Sequence, residues 1–208
     1  NLTANNRDSV IGTEVSEKTA YNDYTVDAVN YIKSKDKSFY RIDKTYASSP
    51  AIHYSLNDAM AQDYRGSSGY SPFNQEYYIK YLQTMGISNK ENELESRWAN
   101  GLAYRPLLES QNQVKYILAK TRINPIWNIV CDSIATFGDV KAFRNKFVIP
   151  FGYTHNTYIR QSIFEALSLT QRDFISLRAV AIRDEDLGKV AGIKEFRLQD
   201  TTPLAAFN

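Results

Sequence analysis

The sequence predicts an α/β (α+β) fold, with helices packed on a mixed, partly antiparallel central sheet. Some segments repeat apolar residues at helical spacing, others alternate apolar and polar residues, and Gly138-Asp139 separates two alternating segments as a hairpin turn would. The 208 residues suffice for one domain with its own core. We expect a polar N-terminal arm over residues 1–22 and a single α/β domain over residues 23–208.

Helical spacing is clearest in residues 23–35, where Val26, Val29 and Ile32 fall on one face. A second helix is expected from a cap at Ser71 to Met85, because Gly86 can end it in the left-handed conformation. The further predicted helices are a short one opened by Pro106, one over about residues 158–167, and one from Thr170 with Asp173 as capping partner.

Strand-like alternation appears first in residues 39–46, where Tyr40 and Ile42 fall on the same side of the chain. The further predicted strands are residues 114–118, 126–130, 134–137 and 140–143, the last two paired across Gly138-Asp139. Residues 88–100 are rich in charge and are expected to form a surface excursion.

Composition argues against two classes of function. The net charge is +2, with 25 Lys and Arg against 23 Asp and Glu, so no nucleic-acid partner is expected. No apolar run approaches the roughly 20 residues that span a bilayer. Because the chain starts at Asn1 rather than methionine, we expect it to be a piece excised from a longer protein.

Catalytic and metal-binding patterns are not evident. Cys131 is the only cysteine and lies in an apolar run, which excludes an intramolecular disulfide and indicates a buried thiol. His53 and His155 lack the spacing of metal ligands, and we expect no catalytic residue, metal or cofactor. Asp58 and Asp63 resemble a glycosidase carboxylate pair only in residue type, and turn capping and solvation explain them more simply.

Residues 64–81 hold six aromatic rings in eighteen residues. Tyr78, Leu82 and Met85 form an apolar stripe on the predicted helix, so the helical part is interpreted mainly as scaffold. The turn before it, residues 63–70, contains glycine and serine and is the better candidate for contact with a ligand.

Several segments, taken in order, resemble the YfhO family of bacterial membrane proteins. They are Phe39-Tyr40-Arg41-Ile42, Asn57-Asp58, the turn from Tyr64 to Asn74, the helix end Met85-Gly86-Ile87, the strand Val114-Lys115-Tyr116-Ile117-Leu118, and the stretch from Asn145 to Thr154. Gln113 departs from the family pattern, in which glycine is usual at this position.

The resemblance implies a polytopic membrane protein similar to glycosyltransferases of the GT-C type, which take a sugar from a polyprenyl-phosphate donor outside the cytoplasm. It also implies a role in decorating envelope glycopolymers such as teichoic acid. The chain would then be an extracytoplasmic domain beside the transmembrane region of the same polypeptide, on the outer face of the bacterial cell membrane. No catalytic residue is carried over, because such enzymes usually keep the catalytic carboxylate in a loop between transmembrane helices.

With this resemblance, the domain is expected to recognise the glycopolymer acceptor or the polyprenyl-phosphate-sugar donor. The candidate binding residues are Asp63, Arg65, Tyr70 and Trp98, because aromatic faces with charged hydrogen-bonding groups suit a sugar ring or a phosphate. Packing within the domain is the simpler explanation for Tyr70 and Trp98. The alternative function is a free-standing exported carbohydrate-binding or adhesion module without enzyme activity.

Overall fold

A four-stranded mixed sheet carries the core of the computed structural model, which describes residues 18–49, 56–121, 123 and 125–198. Numbered along the chain, its strands are β1 (Arg41–Lys44), β4 (Val114–Ala119), β5 (Cys131–Phe137) and β6 (Val140–Asn145), in the order β1-β4-β6-β5. β1 runs parallel to β4, whereas β6 runs antiparallel to both β4 and β5. The predicted mixed, partly antiparallel sheet is confirmed.

Two smaller sheets also form. β2 (Ser68–Tyr70) pairs antiparallel with β3 (Trp98–Asn100). β7 (Thr157–Arg160) lies between β8 (Val180–Ile182) and β9 (Lys194–Glu195), and both pairings are parallel. The short β2–β3 pair forms part of a cavity wall.

The helices of the described residues are short, apart from the first. They are α1 (Thr25–Lys35), α2 (Asp58–Ala61), α3 (Glu76–Thr84), α4 (Glu93–Arg97), α5 (Pro106–Gln111), α6 (Pro125–Val130), α7 (Gln161–Ala166) and α8 (Leu169–Ser176). Of the predicted N-terminal arm, residues 1–17 lie outside the described residues, and Ala20–Asn22 form a 3₁₀ turn.

Apolar side chains form a buried cluster on each side of the central sheet. Val29 of α1 belongs to one cluster together with Leu118 of β4. Trp127 of α6 belongs to the other, together with Ile117 of β4. Because β4 contributes side chains to both clusters, its sequence is almost continuously apolar.

Several local predictions are confirmed. Thr25–Lys35 form α1 within the predicted residues 23–35, Pro106 opens α5, residues 114–118 fall in β4, and β5 and β6 join at Gly138 in the left-handed conformation. Leu82 and Met85 are buried, which confirms the apolar stripe of α3.

The strand predicted over residues 126–130 is wrong, because these residues lie in the helix α6. A short apolar run has no period that separates a strand from a helix. In the helix Trp127 is buried, whereas Ile126 and Ile129 are exposed. Pro125 begins the helix, where its missing N–H has no cost.

The predicted start of α3 at Ser71 is also wrong. The Gln75 side chain caps the helix by accepting a hydrogen bond from the Tyr78 N–H at 2.6 Å. Ser71 Oγ instead accepts from the Phe73 N–H at 3.1 Å and so belongs to a separate turn. Gly86 has a φ of +66°, as expected for the residue that ends the helix.

Three other segments also differ from prediction. α8 begins with a capping box formed by Ser168 and Gln171 rather than with a cap at Thr170. Residues 157–160 form β7 before α7, and residues 98–100 form β3 instead of a surface excursion, because both pair with distant strands.

Gln113 occupies a position that suits glycine, since its φ is +62°. A side chain in this left-handed region costs roughly 1 kcal/mol. The Gln113 amide donates to the Ile149 carbonyl, and the Gln113 carbonyl accepts from the Arg41 N–H at 2.7 Å. These hydrogen bonds offset the strain and connect the start of β1 to the start of β4.

Two arginines attach α8 to the end of α3. The Arg105 guanidinium forms a bidentate ion pair with Asp173 of α8 and donates to the Met85 carbonyl at 2.5 Å. Arg172 donates to the Thr84 carbonyl at 2.5 Å. Charge-assisted bonds of this kind are about twice as strong as neutral ones, so they hold the C-terminal helices on the core.

Glu109 of α5 is fully buried, and neither carboxylate oxygen has a hydrogen-bond partner among the described residues. Burial, assisted by repulsion from Asp43, raises the pKa of Glu109 well above its ordinary value of 4.5. The side chain is therefore protonated well above pH 4.5, and its burial opposes folding.

We predict that Glu109→Gln gains stability relative to the wild type as pH rises from about 5 to about 8. Between the ordinary and the raised pKa, the native protein keeps a proton that the unfolded chain releases, so wild-type stability falls across that window. The variant has no such titration. Urea unfolding followed by circular dichroism measures the difference at both pH values. A difference that stays constant, as expected for the exposed Glu91→Gln control, would contradict the raised pKa.

Candidate functional site

Lys44, the last residue of β1, is buried and fully hydrogen-bonded. Its ammonium forms an ion pair with Asp58 and donates to Ser48 Oγ at 2.6 Å and to Gln62 Oε1 at 2.9 Å. The Lys44 and Asp58 side chains are only 5% and 2% exposed. Burial lowers the pKa of Lys44, and the Asp58 carboxylate opposes that change. Because loss of either charge strands the other in the interior, the pair holds α2 against β1.

Asp23 extends this network to the start of α1. Its Oδ2 accepts from Ser48 Oγ at 2.8 Å, and its Oδ1 accepts from Gln62 Nε2 and the Thr25 N–H, both at 3.0 Å. Lys120, which follows β4, lies 3.0 Å from Asp23 Oδ2. Burial raises the pKa of Asp23, but hydrogen bonds from Thr25, Ser48 and Lys120 outweigh it and lower the pKa to about 2. The ionised carboxylate therefore joins the ends of β1 and β4 to α1.

Tyr46 is fixed by the same network. The Lys44 and Lys120 ammonium groups each lie 4.8 Å from the centroid of its ring, within the range of a cation–π interaction. The Tyr46 hydroxyl lies 2.5 Å from Thr25 Oγ1. Burial raises the pKa of Tyr46, so the phenol stays neutral.

A cavity of about 390 Å³ opens where β1 ends. β1 and β4 are parallel, and the carboxyl ends of parallel strands are a common place for ligand sites in α/β proteins. The residues that line the cavity include three tyrosines, Tyr46, Tyr64 and Tyr104, and the polar residues Asp43, Ser68 and Asn100.

Two glycines allow the walls of the cavity to approach each other. Gly101 has a φ of +72°, and a Cβ there would lie 2.8 Å from Ser67 Oγ. A Cβ at Gly66 would lie 2.9 Å from the Cβ of Ala59. Gly101 therefore lets the end of β3 lie close to β2, and Gly66 lets the segment before β2 lie close to α2.

The cavity offers both fixed and adaptable hydrogen-bonding groups. The Asp43 carboxylate accepts from the Lys44 N–H at 2.9 Å, and burial raises its pKa to about 6. The Tyr104 hydroxyl donates to the Lys44 carbonyl at 3.0 Å. The Ser68 hydroxyl and the Asn100 amide line the same space and are able to donate and accept. Such a surface suits a neutral ligand that is rich in hydroxyl groups.

The four binding residues proposed from the sequence are placed in two different surroundings. Tyr70 and Trp98 lie opposite each other on β2 and β3, with perpendicular rings whose centroids are 6.0 Å apart. Asp63 pairs with Lys33 of α1 at 2.5 Å, and the Arg65 guanidinium lies 5.3 Å from the Phe39 ring.

None of these four side chains lines the cavity, although the turn that carries three of them does. Tyr64, Gly66 and Ser68 of the same turn belong to the cavity wall. The proposed role of Asp63, Arg65, Tyr70 and Trp98 in binding therefore stays a prediction.

Lys44 is the residue that sequence reasoning missed, and a signal for it exists. Alternation in β1 places Lys44 on the same side as Tyr40 and Ile42, both of which are buried. A lysine on the apolar side of a strand requires a buried anion. Asn100 and Tyr104 had no comparable signal, because only the pairing of β3 with β2 brings them to β1.

The Cys131 thiol and the His155 imidazole do not belong to the cavity lining. Cys131 is buried as predicted, and burial raises its pKa to about 12. The His155 ring packs edge-on against Tyr153 at 5.2 Å, and His53 lies outside the described residues. In the part of the chain that the structure describes, no group of three or more potential metal ligands occurs.

We predict that Lys44→Met lowers the free energy of unfolding by about 3–5 kcal/mol, because it leaves the buried Asp58 carboxylate without its cation. Lys44→Met combined with Asp58→Leu should cost less than the sum of the two single variants. Urea unfolding of the four proteins measures this coupling. The exposed pair Lys80 and Glu76, changed in the same way, is the control and should be nearly additive. Additive losses at Lys44 and Asp58 would show that the pair is not the organising contact.

Comparison with known proteins places the chain in a family. Neither the curated proteins nor the solved structures give a match. No helix within the described residues is long and apolar enough to cross a membrane. The family described as bacterial membrane protein YfhO matches residues 2–202, nearly the whole chain. In agreement with the resemblance seen in its sequence segments, the chain belongs to the YfhO family of bacterial membrane proteins.

Proposed function

We propose that this chain is an extracytoplasmic, non-catalytic part of a lipid-linked-sugar glycosyltransferase that acts on envelope glycopolymers such as teichoic acid. The cavity at the end of β1 holds a saccharide unit of the acceptor polymer. The transmembrane region of the same polypeptide binds the polyprenyl-phosphate-sugar donor and carries out transfer on the outer face of the bacterial cell membrane. Membership in a family of bacterial membrane proteins supports this setting.

The observation that carries the proposal is the mixture of aromatic and polar groups around the cavity. A sugar ring combines apolar C–H faces with a rim of hydroxyl groups, so tyrosine walls with amide and hydroxyl groups are complementary to it. Tyr104 supplies an aromatic wall of this kind, and the side chains of Asn100 and Ser68 supply hydrogen-bonding groups. The volume of about 390 Å³ falls within the range of small-molecule sites.

The separate surroundings of Asp58 and Asp63 favour recognition over glycoside hydrolysis. Hydrolysis requires two carboxyl groups on either side of one glycosidic bond. Asp58 is buried in its ion pair with Lys44, whereas the Asp63 side chain is 96% exposed and pairs with Lys33. The two aspartates therefore have separate structural partners.

We predict that the chain binds oligosaccharide fragments of teichoic acid, as measured by isothermal titration calorimetry. Asn100→Ala should weaken binding about fivefold, because one hydrogen bond contributes about 1 kcal/mol. Tyr104→Ala should weaken it at least as much, since it removes an aromatic wall. Tyr77→Ala is the matched control, because Tyr77 is exposed on α3 away from the cavity lining.

Tyr70→Ala separates the cavity from the site proposed on sequence alone. Loss of binding in Tyr70→Ala with normal binding in Tyr104→Ala would move the saccharide site to the Tyr70–Trp98 pair. The absence of heat with any envelope glycan would contradict saccharide recognition altogether.

A second prediction concerns the transferase itself. In cells that express the full-length protein, Asn100→Ala and Tyr104→Ala should lower the sugar content of the envelope glycopolymer without lowering the amount of protein in the membrane. Chemical analysis of the purified polymer measures the sugar content. Normal glycosylation in a strain that lacks the gene would overturn the transferase role and leave saccharide binding to be judged by calorimetry.

A further inference from the structure

The edge of the sheet opposite the cavity carries a second distinctive surface. It lies where β1 and β4 begin and where β6 ends, whereas the cavity lies where β1 ends. We call it the basic aromatic face, and its defining residues are Phe39, Phe151, Arg41, Arg65, Arg144 and Lys146.

Phe39 is the centre of the basic aromatic face. Its ring packs against Phe151, with the two centroids 4.8 Å apart. The guanidinium groups of Arg41 and Arg65 lie 5.4 Å and 5.3 Å from the same ring centroid. Phe39 and Phe151 are nevertheless 38% and 73% exposed. Apolar rings and positive charges are thus presented together to the solvent.

The charge of this face is positive after its ion pairs are counted. Asp36 pairs with the adjacent Lys115 at 2.6 Å, and Asp132 pairs with Lys146 at 3.7 Å. Asp63, near Arg65, pairs with Lys33 at 2.5 Å. The charge of each of these carboxylates is therefore already balanced by a lysine.

The three arginines supply the excess charge. Within the described residues, none of Arg41, Arg65 and Arg144 forms an ion pair with a carboxylate. The Arg41 guanidinium donates to the Asn112 carbonyl at 2.7 Å, which orients it without cancelling its charge. A groove of about 420 Å³ runs beside Arg144 and Phe151, with room for an anionic group.

We propose that the basic aromatic face docks on the anionic surface of a phospholipid bilayer. Basic residues attract acidic headgroups, and exposed rings beside them enter the boundary between headgroups and acyl chains. The segment from Lys146 to Phe151 reads Lys-Phe-Val-Ile-Pro-Phe, which combines one cation with five apolar residues. Membership in a family of membrane proteins places a bilayer within reach of this surface. The proposal does not depend on saccharide binding, because the two surfaces share no residue.

Co-sedimentation of the chain with vesicles tests the docking. We expect binding to vesicles of phosphatidylcholine mixed with phosphatidylglycerol, weaker binding at high salt, and little binding to phosphatidylcholine alone. Replacing Arg41, Arg65 and Arg144 by glutamine should weaken binding about fivefold per residue, or about a hundredfold for all three. The control replaces Lys80, Lys90 and Lys189 by glutamine, which changes the net charge equally outside the face.

Fluorescence tests whether the rings enter the interface. The emission of Phe151→Trp should shift to shorter wavelength on mixed vesicles, whereas that of Phe73→Trp, another highly exposed position, should not. Circular dichroism confirms that each variant is folded. Equal loss of binding in the two triple variants, equal binding to neutral vesicles, or no binding to mixed vesicles would each overturn the proposal.

Discussion

The buried ammonium of Lys44 is the constraint on which the candidate site depends. It donates three hydrogen bonds, which Asp58, Ser48 and Gln62 accept. Asp23 receives hydrogen bonds from Ser48 and Gln62 in turn, so one cation at the end of β1 organises the start of α1, the loop after β1, and α2. A buried charge tolerates little displacement, because any lost partner leaves an unsatisfied group in the interior. The cavity wall therefore has a defined position.

The central sheet separates two surfaces of different chemistry. At the end of β1 lie tyrosine rings, an amide and hydroxyl groups, which suit a neutral sugar. At its beginning lie Phe39, Phe151 and three arginines, which suit an anionic bilayer. If both proposals hold, the saccharide cavity faces away from the membrane and toward the growing polymer. The site of lipid contact and the site of acceptor recognition then lie at opposite ends of β1.

The features that local sequence determines were predictable. The spacing of Val29 and Ile32 marks α1, and Gly138 marks the β5–β6 hairpin, because helices and tight turns depend on residues close in the chain. A short apolar run such as residues 126–130 lacks a decisive period, so the sequence predicts a strand where the structure has the helix α6. The family of the chain is recognisable from its sequence segments taken in order, because periodicity alone does not identify a family.

The candidate site was predictable only in part. The sequence points to the turn over residues 63–70, and Tyr64, Gly66 and Ser68 of that turn line the cavity, whereas Asp63, Arg65, Tyr70 and Trp98 do not. Its other wall depends on the pairing of β2 with β3, which brings Asn100 close to β1 through contacts far apart in sequence. Burial of Lys44 follows from strand alternation, but its partners Asp58 and Gln62 lie on a helix whose position no local pattern determines.

The most direct test of the central claim is a crystal structure of the chain with an acceptor oligosaccharide. The account predicts electron density for a sugar ring in the cavity at the end of β1, against Tyr104 and within hydrogen-bonding distance of Asn100. The Lys44–Asp58 pair should be unchanged from the free protein. A sugar bound instead between Tyr70 and Trp98, with the cavity holding only solvent, would contradict it.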